Sequence, residues 1–265
     1  MIDILIPTYN RAKDLEKNIK HLDTLLKSED LLDNYCLLVS DNCSTDNTKA
    51  ILEQLKKCTS MQMRVYEQSE NIGLEKNAIF LLEKAKSDFV MYVGDDDFLP
   101  EAYLTYVFDK IRSESDLGAI VPGITALFGD CSTLEQRKMH FNERCYSEGF
   151  FTAYKTAYLG HQLSGVLQKR EGLLDRYLSD ESFRNIYPFI FFLGFNAMRG
   201  HVYFVPKFRV LVSVSNSKDW GYDRSGLLTE IFKNFSILFP TDRIKRTLMC
   251  ISVMYYQSWR LRIGK

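Results

Sequence analysis

The first 120 residues alternate between short apolar runs and segments with helical periodicity, and this rhythm constrains the fold more than any other feature. Short apolar runs bounded by polar residues predict buried strands, whereas apolar residues spaced three and four apart predict amphipathic helices. The predicted strands are 2–6, 35–40, 63–67, 89–93 and 119–121, and the predicted helices are 12–26, 46–55, 74–85 and 100–113. Single helices between successive strands are typical of an α/β fold, with a mostly parallel sheet flanked by helices.

The alternation breaks after Pro122. We interpret 123–226 as the second half of one domain spanning 1–226, with strands at 202–205 and 210–214 in a mixed sheet. Residues 227–265 are predicted to form a C-terminal helical appendage that is interrupted at Pro240. Its apolar stripe, expected to pack on the domain or on a second copy of the chain, consists of Ile244, Leu248, Ile251, Tyr255 and Trp259.

The composition excludes some classes of protein. The chain has 265 residues, of which 46 % are hydrophobic, so it can bury a sizeable core. Its formal net charge of zero argues against a general nucleic-acid-binding protein. The charge is nevertheless uneven, because residues 227–265 hold seven basic and two acidic residues, a net charge of +5, and 1–226 therefore carries −5.

The chain also lacks the signals of secretion. Its six cysteines are scattered without a CxxC pair, which is typical of a reducing compartment. The N-terminus runs directly into an apolar strand, so no signal peptide is predicted, and no apolar run reaches the roughly 18–20 residues of a membrane span. We therefore expect a cytoplasmic protein.

Three consecutive aspartates, Asp95, Asp96 and Asp97, follow the predicted strand 89–93. The repulsion between adjacent carboxylates must be relieved by solvent, by protonation or by a cation. A solvated turn would suffice, but Mg²⁺ is commonly bound by one or two carboxylates together with substrate phosphates.

The other strand ends favour a ligand site. Ligands of open α/β sheets bind beyond the carboxyl ends of the strands. Here the four successive strand ends are followed by Pro7-Thr8-Tyr9-Asn10-Arg11, by Asp41-Asn42-Cys43-Ser44-Thr45-Asp46, by Glu70-Asn71-Ile72-Gly73 and by the three aspartates. Four polar or turn-forming strand ends in succession predict one shared binding edge.

This order of motifs resembles glycosyltransferase family 2, whose members have the Rossmann-like GT-A fold and bind nucleotide sugars. The resemblance rests on 6–11, 40–48, 71–73 and the Gly-Asp-Asp-Asp of 94–97, and it covers about residues 1–120 well. It implies a nucleotide-sugar-binding half, 1–122, and an acceptor-binding half, 123–226. It also implies that a sugar moves, with inversion at its anomeric carbon, from a nucleoside diphosphate to an acceptor.

The resemblance assigns roles to individual residues. Pro7, Thr8, Asn10 and Arg11 would line the nucleotide cleft, Asp41 would accept a hydrogen bond from the base, and Asn71 and Gly73 would shape the facing loop. Asp95 would face the ribose, and Mg²⁺ or Mn²⁺ would be held by Asp96 or Asp97, with the register uncertain by one residue. Asp41 could instead cap a strand end, and Asp46 and Thr48 are expected to cap and start the next helix.

The general base is harder to assign. The family places an acidic residue some 80–100 residues after the aspartate run, and Asp180 and Glu181 lie in this window, with Asp175 as a lesser candidate. Asp180 and Glu181 could simply be exposed acids at a helix cap. At 185–190, where many relatives have an acidic residue before a helix, this sequence has none. His161 is an alternative base, although a lone histidine is more often structural.

Weaker similarities suggest a pathway and a membrane contact. The Gly-Asp-Asp-Asp run, the aromatic segment at 185–190 and 216–220 resemble abequosyltransferase-type enzymes, which implies O-antigen or capsule synthesis with a glycan or lipid-linked acceptor. Trp220 could stack on an acceptor sugar or pack in the core. The basic, aromatic residues of 227–265 could also lie on the inner face of the membrane.

Two other functions remain open. A sugar nucleotidyltransferase would also combine such a sheet with acidic residues and Mg²⁺, but it would normally carry a Gly-rich basic loop where this chain has residues 7–11. A non-catalytic nucleotide-sugar-binding protein would explain the missing base.

Overall fold

The computed structural model describes residues 1–128, 132–136, 142–214 and 227–261. The strands are β1 (Ile2–Thr8), β2 (Tyr35–Asp41), β3 (Gln62–Glu67), β4 (Phe89–Tyr92), β5 (Leu117–Phe128), β6 (Thr133–Gln136), β7 (Arg144–Tyr146), β8 (Leu167–Lys169) and β9 (His201–Val214). The helices are α1 (Ala12–Ser28), α2 (Thr48–Cys58), α3 (Leu74–Lys84), α4 (Tyr103–Ser113), α5 (Phe150–Thr156), α6 (Leu173–Tyr177), α7 (Pro188–Ala197), α8 (Leu228–Leu238) and α9 (Arg243–Tyr256). Short 3₁₀ helices occupy 157–161, 181–183 and 258–261.

All the described strands belong to one sheet with the order β3-β2-β1-β4-β8-β5-β9-β7, and β6 pairs with β5. The pairs β1–β2, β1–β4 and β2–β3 are parallel, as the alternation of strands and helices predicts. Strand β8 is antiparallel to both β4 and β5, so the sheet becomes mixed at that point. The predicted α/β class, with a mostly parallel sheet flanked by helices, is therefore confirmed.

The elements of 1–122 differ from the predicted ones mainly at their ends. Helix α4 begins at Tyr103 rather than near Pro100, because Ala102 has a left-handed backbone conformation, with φ of 58°. The carboxylate of Glu29, at the end of α1, accepts hydrogen bonds from the Ala102 N–H at 2.8 Å and the Thr105 N–H at 2.9 Å. A distant side chain thus caps α4, which the local sequence cannot reveal.

The second half contains longer strands than the pattern predicts. Strand β5 continues through Pro122, and the predicted strands 202–205 and 210–214 are one continuous β9. Their parallel pairing shifts register between Pro122 and Gly123, opposite Pro206. Proline is tolerated at such an irregularity because the ladder there lacks a regular N–H donor, so the prediction that the strand stops at Pro122 was wrong.

The C-terminal helices pack differently from each other. Helix α8 is embedded in the core through Ile231, Asn234, Phe235 and Ile237. Helix α9 buries Met249, Ser252 and Val253 instead of the predicted stripe, which is exposed at its four described side chains. The expectation that this stripe packs on the domain was therefore wrong for them, and the Trp259 side chain lies outside the described part of the structure. Among the described residues, no helix combines the length and apolar character that a bilayer crossing requires.

Candidate functional site

The carboxyl ends of the four parallel strands β1 to β4 meet at one edge of the sheet. The parallel register sets Thr8 of β1 opposite Asp41 of β2, and Asp41 opposite Glu67 of β3. On the other side of β1, the Val93 N–H continues the β4 ladder by donating to the Leu5 carbonyl at 3.0 Å. The aspartate run therefore emerges beside the end of β1, as the sequence predicts.

Two residues of the β1 end contact the aspartate run directly. Thr8 Oγ1 donates a 2.7 Å hydrogen bond to Asp95 Oδ2. The Arg11 guanidinium lies 3.6 Å from Asp96 Oδ2 and 3.5 Å from Asp14 Oδ2. The side chain of Asp96 is largely buried, so this pairing acts in a medium less polar than bulk water. Arg11 thus supplies part of the positive charge that the aspartates need.

The environment of Asp95 disfavours its ionised form. Burial raises the pKa of Asp95 to about 7, although the hydrogen bond from Thr8 opposes this shift, and the Asp96 carboxylate adds to it. The direction means that the folded site resists holding the Asp95 carboxylate ionised. A cationic ligand at this edge would relieve that strain.

Asp97 has a different environment from its two neighbours. Its Oδ2 accepts a hydrogen bond from Ser164 Oγ, and its Oδ1 accepts one from the Ser213 N–H at 3.0 Å. Ser213 Oγ also donates to the Asp96 carbonyl at 2.6 Å, and Asn18 Nδ2 donates to the carbonyl of Asp97. The second half of the chain therefore fixes the conformation of the aspartate run through Asp97.

The loops after β1 and β2 hold each other. The Asn10 N–H donates to Ser44 Oγ at 2.8 Å, and Asn10 Oδ1 accepts from the Thr45 N–H at 2.8 Å. Asn10 and Cys43 both have positive φ values, 53° and 63°. Non-glycine residues keep this conformation only when their surroundings hold it in place. The side chain of Asn10 is thus occupied in bracing the two loops.

Asp41 is buried, and Ser44 Oγ and the Ser44 N–H both donate to its Oδ1. These two bonds leave its other carboxylate oxygen for a ligand, and none of the described contacts engages that oxygen. One oxygen of Asp41 thus has the local structural role that the sequence left open, and its role toward the base of a nucleotide stays a prediction.

Asp46 has the structural role that the sequence favours, with one correction. The N-cap of α2 is Asn47, without a side-chain bond, rather than the predicted Asp46. Asp46 Oδ1 accepts from the Thr48 N–H at 3.0 Å, and Asp46 Oδ2 accepts from the Ala12 N–H at 3.1 Å. One carboxylate thereby satisfies first-turn donors of both α1 and α2.

The loop after β3 is tied to the β2 loop. Asn71 Oδ1 accepts from Asn42 Nδ2 at 2.8 Å and from the Gly73 N–H at 3.0 Å, and Asn42 Oδ1 accepts from the Ile72 N–H at 2.9 Å. Gly73 has φ of 84° at the N-cap of α3, with open space where a Cβ would lie, so its requirement for glycine is conformational. Thr8, Arg11, Asp41, Asn71 and Gly73 therefore surround one edge, with buried Pro7 behind them.

Sequence reasoning overlooked three residues of this site. Tyr9 follows Thr8, and 42 % of its surface is exposed, which is unusual for a tyrosine beside a buried strand. Its position inside the motif at 6–11 was a signal that could have identified it. Ser164 and Ser213, which hold Asp97, gave no local signal because they lie 67 and 116 residues from it.

The two predicted bases lie on a separate segment. Asp180 Oδ1 caps the 3₁₀ helix at 181–183 by accepting from the Ser182 N–H at 3.0 Å, and the Glu181 side chain is 84 % exposed. Arg184, which follows that turn, makes a two-pronged ion pair with Glu75 in the first turn of α3, at 3.0 and 2.8 Å. This pair anchors the segment next to the Asn71–Gly73 loop.

His161 lies at the end of the 3₁₀ helix 157–161, where its Nδ1 is 2.8 Å from the Tyr158 carbonyl. Three residues later, Ser164 contacts both Asp97 and the Gly94 N–H. The loop that contains Gln162 and Leu163 thus connects His161 to the aspartate run. Trp220 lies outside the described residues.

The donor set fits a hard divalent cation that is completed by a ligand. Among the described residues, no three acidic, histidine or cysteine side chains converge as a preformed metal cage. Mg²⁺ and Mn²⁺ in phosphate sites commonly use only one or two carboxylates plus phosphate oxygens and water. Asp96, next to a carboxylate whose pKa is raised, supplies that chemistry.

The mixed sheet, with its polar carboxyl edge and the aspartate run beside β1, defines a GT-A domain. The TarS protein of Staphylococcus aureus in complex with UDP-GlcNAc has this fold, with a TM-score of 0.70, 15 % identity, and coverage of 99 % of this chain and 76 % of that one. The mannosyltransferase PcManGT from Pyrobaculum calidifontis, in complex with GDP-Man and Mn²⁺, has a TM-score of 0.66 at 15 % identity, covering 98 % of this chain and 71 % of that one.

Sequence comparison identifies the family. The pattern described as "Glycosyl transferase family 2" matches residues 3–170, and the chain therefore belongs to this family. The GalNAc(5)-diNAcBac-PP-undecaprenol beta-1,3-glucosyltransferase of Campylobacter jejuni is 28 % identical over 130 residues, which are 49 % of this chain and 38 % of that protein. Abequosyltransferase RfbV of Salmonella typhimurium is 26 % identical over 117 residues, 44 % of this chain and 34 % of that protein. These matches span little more than a third of the relatives' lengths.

Proposed function

We propose that this protein is an inverting, metal-dependent glycosyltransferase that moves a sugar from a nucleoside diphosphate to a glycan or lipid-linked acceptor. The observation that supports it best is the direct contact of Asp95 and Asp96 with Thr8 and Arg11, at the edge that also holds Asp41 and Asn71. Carboxylates, a guanidinium and braced polar loops together suit a ligand that combines a base, a ribose and a diphosphate.

Each residue at the edge has a role in holding the donor. The outward oxygen of Asp41 accepts a hydrogen bond from the base, while the exposed Tyr9 ring offers a surface on which the base stacks. Asp95 accepts from a ribose hydroxyl, and Arg11 lies where it can pair with the diphosphate. Asn10, Asn71 and Gly73 keep the loops in shape, so little ordering is needed when the donor binds.

Asp96 is the favoured metal ligand, with Asp97 as the second predicted one. Both oxygens of the Asp97 carboxylate already accept hydrogen bonds, which favours a positioning role for this residue. A bound Mg²⁺ or Mn²⁺ would stabilise the charge that grows on the diphosphate leaving group. Arg11 contributes to the same stabilisation as a fixed positive charge.

Inversion requires an acceptor hydroxyl to attack from the face opposite the leaving group, with a base to take its proton. Asp180 and Glu181 remain the proposed bases, and the Arg184–Glu75 ion pair holds their segment against α3, next to the donor loop. His161 remains the alternative, because its loop leads to Ser164 beside the aspartates.

The biological setting follows from the relatives. Two of them are named for an undecaprenol-diphosphate-linked glycan and for abequose transfer. We infer a role in the assembly of bacterial surface polysaccharide, such as O-antigen or capsule, at the cytoplasmic side of the cell membrane. A peripheral membrane contact through 227–265 belongs to the same proposal, and a homodimer contact through this segment is its alternative.

The first test is a thermal-shift panel of UDP, CDP, GDP and dTDP, with and without Mn²⁺. Binding to the native state raises the melting temperature by mass action. We expect a Mn²⁺-dependent shift with one nucleotide, and its loss in Asp96→Asn. Asp33→Asn is the matched control, because Asp33 is exposed and lies just before β2, at the opposite edge of the sheet.

The outcomes separate the candidate functions. The absence of a shift with every nucleotide would refute the glycosyltransferase proposal. A shift without sugar transfer to any lipid-linked or glycan acceptor would favour a non-catalytic nucleotide-sugar-binding protein. Formation of a nucleotide sugar from a nucleoside triphosphate and a sugar phosphate would favour a nucleotidyltransferase.

A further inference from the structure

Helix α9 has two apolar faces, of which only one is covered. One face buries Met249 and Val253, and Ser252 on the same face donates a hydrogen bond to the Tyr154 carbonyl of α5. The other face displays Ile244, Leu248, Ile251 and Tyr255, which are spaced four, three and four residues apart and therefore form one stripe.

The stripe is unusually exposed. Ile244 and Tyr255 are 75 % and 74 % exposed, and Leu248 and Ile251 are 38 % and 44 % exposed. Of the ten large hydrophobic side chains that are exposed in the described part of the chain, five belong to α9, and Phe151 lies on the adjacent α5. Such a concentration marks a surface that binds another apolar phase.

The charged residues within α9 have one sign, although Lys245 pairs with Asp242, the N-cap of the helix, at 3.2 Å. Helix α9 contains Arg243, Lys245 and Arg246 and no acidic residue. Arg243 and Lys245 each lie one residue from Ile244, about 100° around the helix on either side of the stripe. From Asp242 to Tyr256 there are three basic residues and one acidic residue, a net charge of +2. The surface therefore complements an anionic partner.

A second copy of the chain fits this surface poorly. A symmetric dimer whose α9 helices cross near their first turns would place their basic residues against each other, and like charges at an interface are unfavourable. The stripe is also short, since a 14-residue helix is only about 20 Å long. One face of such a helix is small beside the area of about 800 Å² that each partner buries in a stable dimer.

We propose that α9 lies in the plane of an anionic lipid surface, with the stripe among the acyl chains and the basic flanks at the lipid phosphates. An amphipathic helix with an apolar face and a Lys/Arg-rich polar face binds membranes in this way. Phe151 extends the apolar contact from α5. The lipid phosphate, rather than free phosphate, is the partner, because the basic residues surround an apolar stripe.

The position of α9 gives this contact a consequence for the site. Tyr256 stacks on Tyr158, with ring centroids 4.5 Å apart, and Gln257 Nε2 donates to the Tyr158 carbonyl at 3.3 Å. Ser164, six residues after Tyr158 in the chain, contacts Asp97. A membrane-bound α9 would therefore hold the aspartate edge near the surface where a lipid-linked acceptor lies.

Vesicle cosedimentation of the full chain, without donor or acceptor, tests the inference independently of any transferase activity. We expect the protein to bind vesicles of equal parts phosphatidylcholine and phosphatidylglycerol, to bind pure phosphatidylcholine weakly, and to dissociate in high salt. The double variant Ile244→Ser/Ile251→Ser should lower the partition coefficient about tenfold or more, because both side chains lose several apolar carbons.

The control is Leu134→Ser, since Leu134 on β6 is 53 % exposed but far from α9 in the sequence. It should bind vesicles like the wild type, and Arg243→Glu should lose the preference for phosphatidylglycerol. Equal binding of the wild type and the double variant would overturn the inference. So would a wild-type dimer in sedimentation equilibrium that the double variant converts to a monomer without any vesicle binding.

Discussion

Thr8 Oγ1 donates a 2.7 Å hydrogen bond to Asp95 Oδ2, and this bond joins the last residue of β1 to the first aspartate after β4. Parallel strands that are adjacent in the sheet are here 87 residues apart in the chain. The bond thus links two motifs that the sequence shows separately, and it is the first target for a mutational test.

Thr8→Val should weaken nucleotide binding about five- to tenfold, because Asp95 loses a neutral hydrogen bond of about 1 kcal/mol that orients its carboxylate. Isothermal titration calorimetry with the preferred nucleotide would measure the change. Thr24→Val is a matched control, since Thr24 Oγ1 bonds only within α1, to the Lys20 carbonyl. An unchanged dissociation constant in Thr8→Val would mean that the Thr8–Asp95 hydrogen bond does not contribute to nucleotide binding.

Asp96→Asn and Asp97→Asn should fail in different ways. Asp97→Asn should lower the free energy of unfolding by about 1–3 kcal/mol, because an amide has one acceptor oxygen and keeps only one of the two bonds from Ser164 and Ser213 unless the Ser164 hydroxyl reverses its hydrogen bond, and the charge of the carboxylate is lost. Asp96→Asn should keep its stability and lose the Mn²⁺-dependent shift. Urea unfolding and metal titration of both variants would measure these effects. The reverse pattern would make Asp97 the metal ligand.

Asp180→Asn or Glu181→Gln should lower kcat by about 10²–10⁴ if the replaced residue is the general base, with little change in nucleotide affinity. Steady-state transfer to a lipid-linked acceptor would identify which residue acts. Glu171→Gln serves as the nearby acidic control, because its side chain is 70 % exposed and it is not a candidate base. Asp175→Asn tests the lesser candidate, in the first turn of α6. If neither variant is impaired while His161→Gln is, the base is His161.

Arg184→Gln should impair transfer by loosening the segment that contains Asp180 and Glu181. Its two hydrogen bonds to Glu75 are partly shielded from solvent, so their loss should also cost about 1–2 kcal/mol of stability. A double-mutant cycle with Glu75→Gln would isolate the coupling between the two side chains. A coupling near zero would mean that the pair does not anchor the segment.

The contribution of Asp23 to stability should depend on pH in a defined direction. Burial alone would raise the pKa of Asp23, but hydrogen bonds from Lys27 Nζ and from the N–H groups of Ser60 and Met61 outweigh it and lower the pKa below its ordinary 3.8. A lowered pKa in the folded state means that the stabilisation is complete above the unfolded value and is lost as pH falls below it.

Asp23→Asn should therefore cost about 1–2 kcal/mol at pH 7, with the deficit shrinking only below about pH 4. Urea unfolding of the wild type and the variant between pH 7 and pH 3 would measure it, with Asp33→Asn as the exposed control. A deficit that shrinks already between pH 7 and pH 5 would contradict this assignment.

Periodicity predicted the first half of the fold well because its signals are local. The spacing of apolar residues alone predicts the strands around Leu5, Leu38 and Val90 and the helices between them. The strand ends then follow from parallel pairing, which brings Thr8, Asp41 and Asp95 to one edge. For this reason the sequence alone could place the candidate nucleotide-sugar-binding residues together at one edge of the sheet.

The remainder depends on contacts between distant residues. Nothing near Ala102 predicts that Glu29 caps α4, and nothing near Asp97 predicts Ser164 or Ser213. Strand β8, which lies antiparallel between β4 and β5, has only three residues, too few for periodicity to predict the strand or its place in the sheet. On α9, periodicity identified an apolar stripe correctly but could not tell which of two apolar faces is buried.

The grip of Ser164 and Ser213 on Asp97 limits how such a protein can evolve or be engineered. Both serines belong to 123–226, the half where acceptor preference is expected to reside, yet they hold the aspartate run that is proposed to bind the sugar donor. A graft that exchanges this half for that of a relative would therefore disturb the donor side unless both hydroxyl-bearing positions were preserved. The two halves are therefore not interchangeable modules, because the carboxylate of Asp97 lies in the first half and is held by residues of the second.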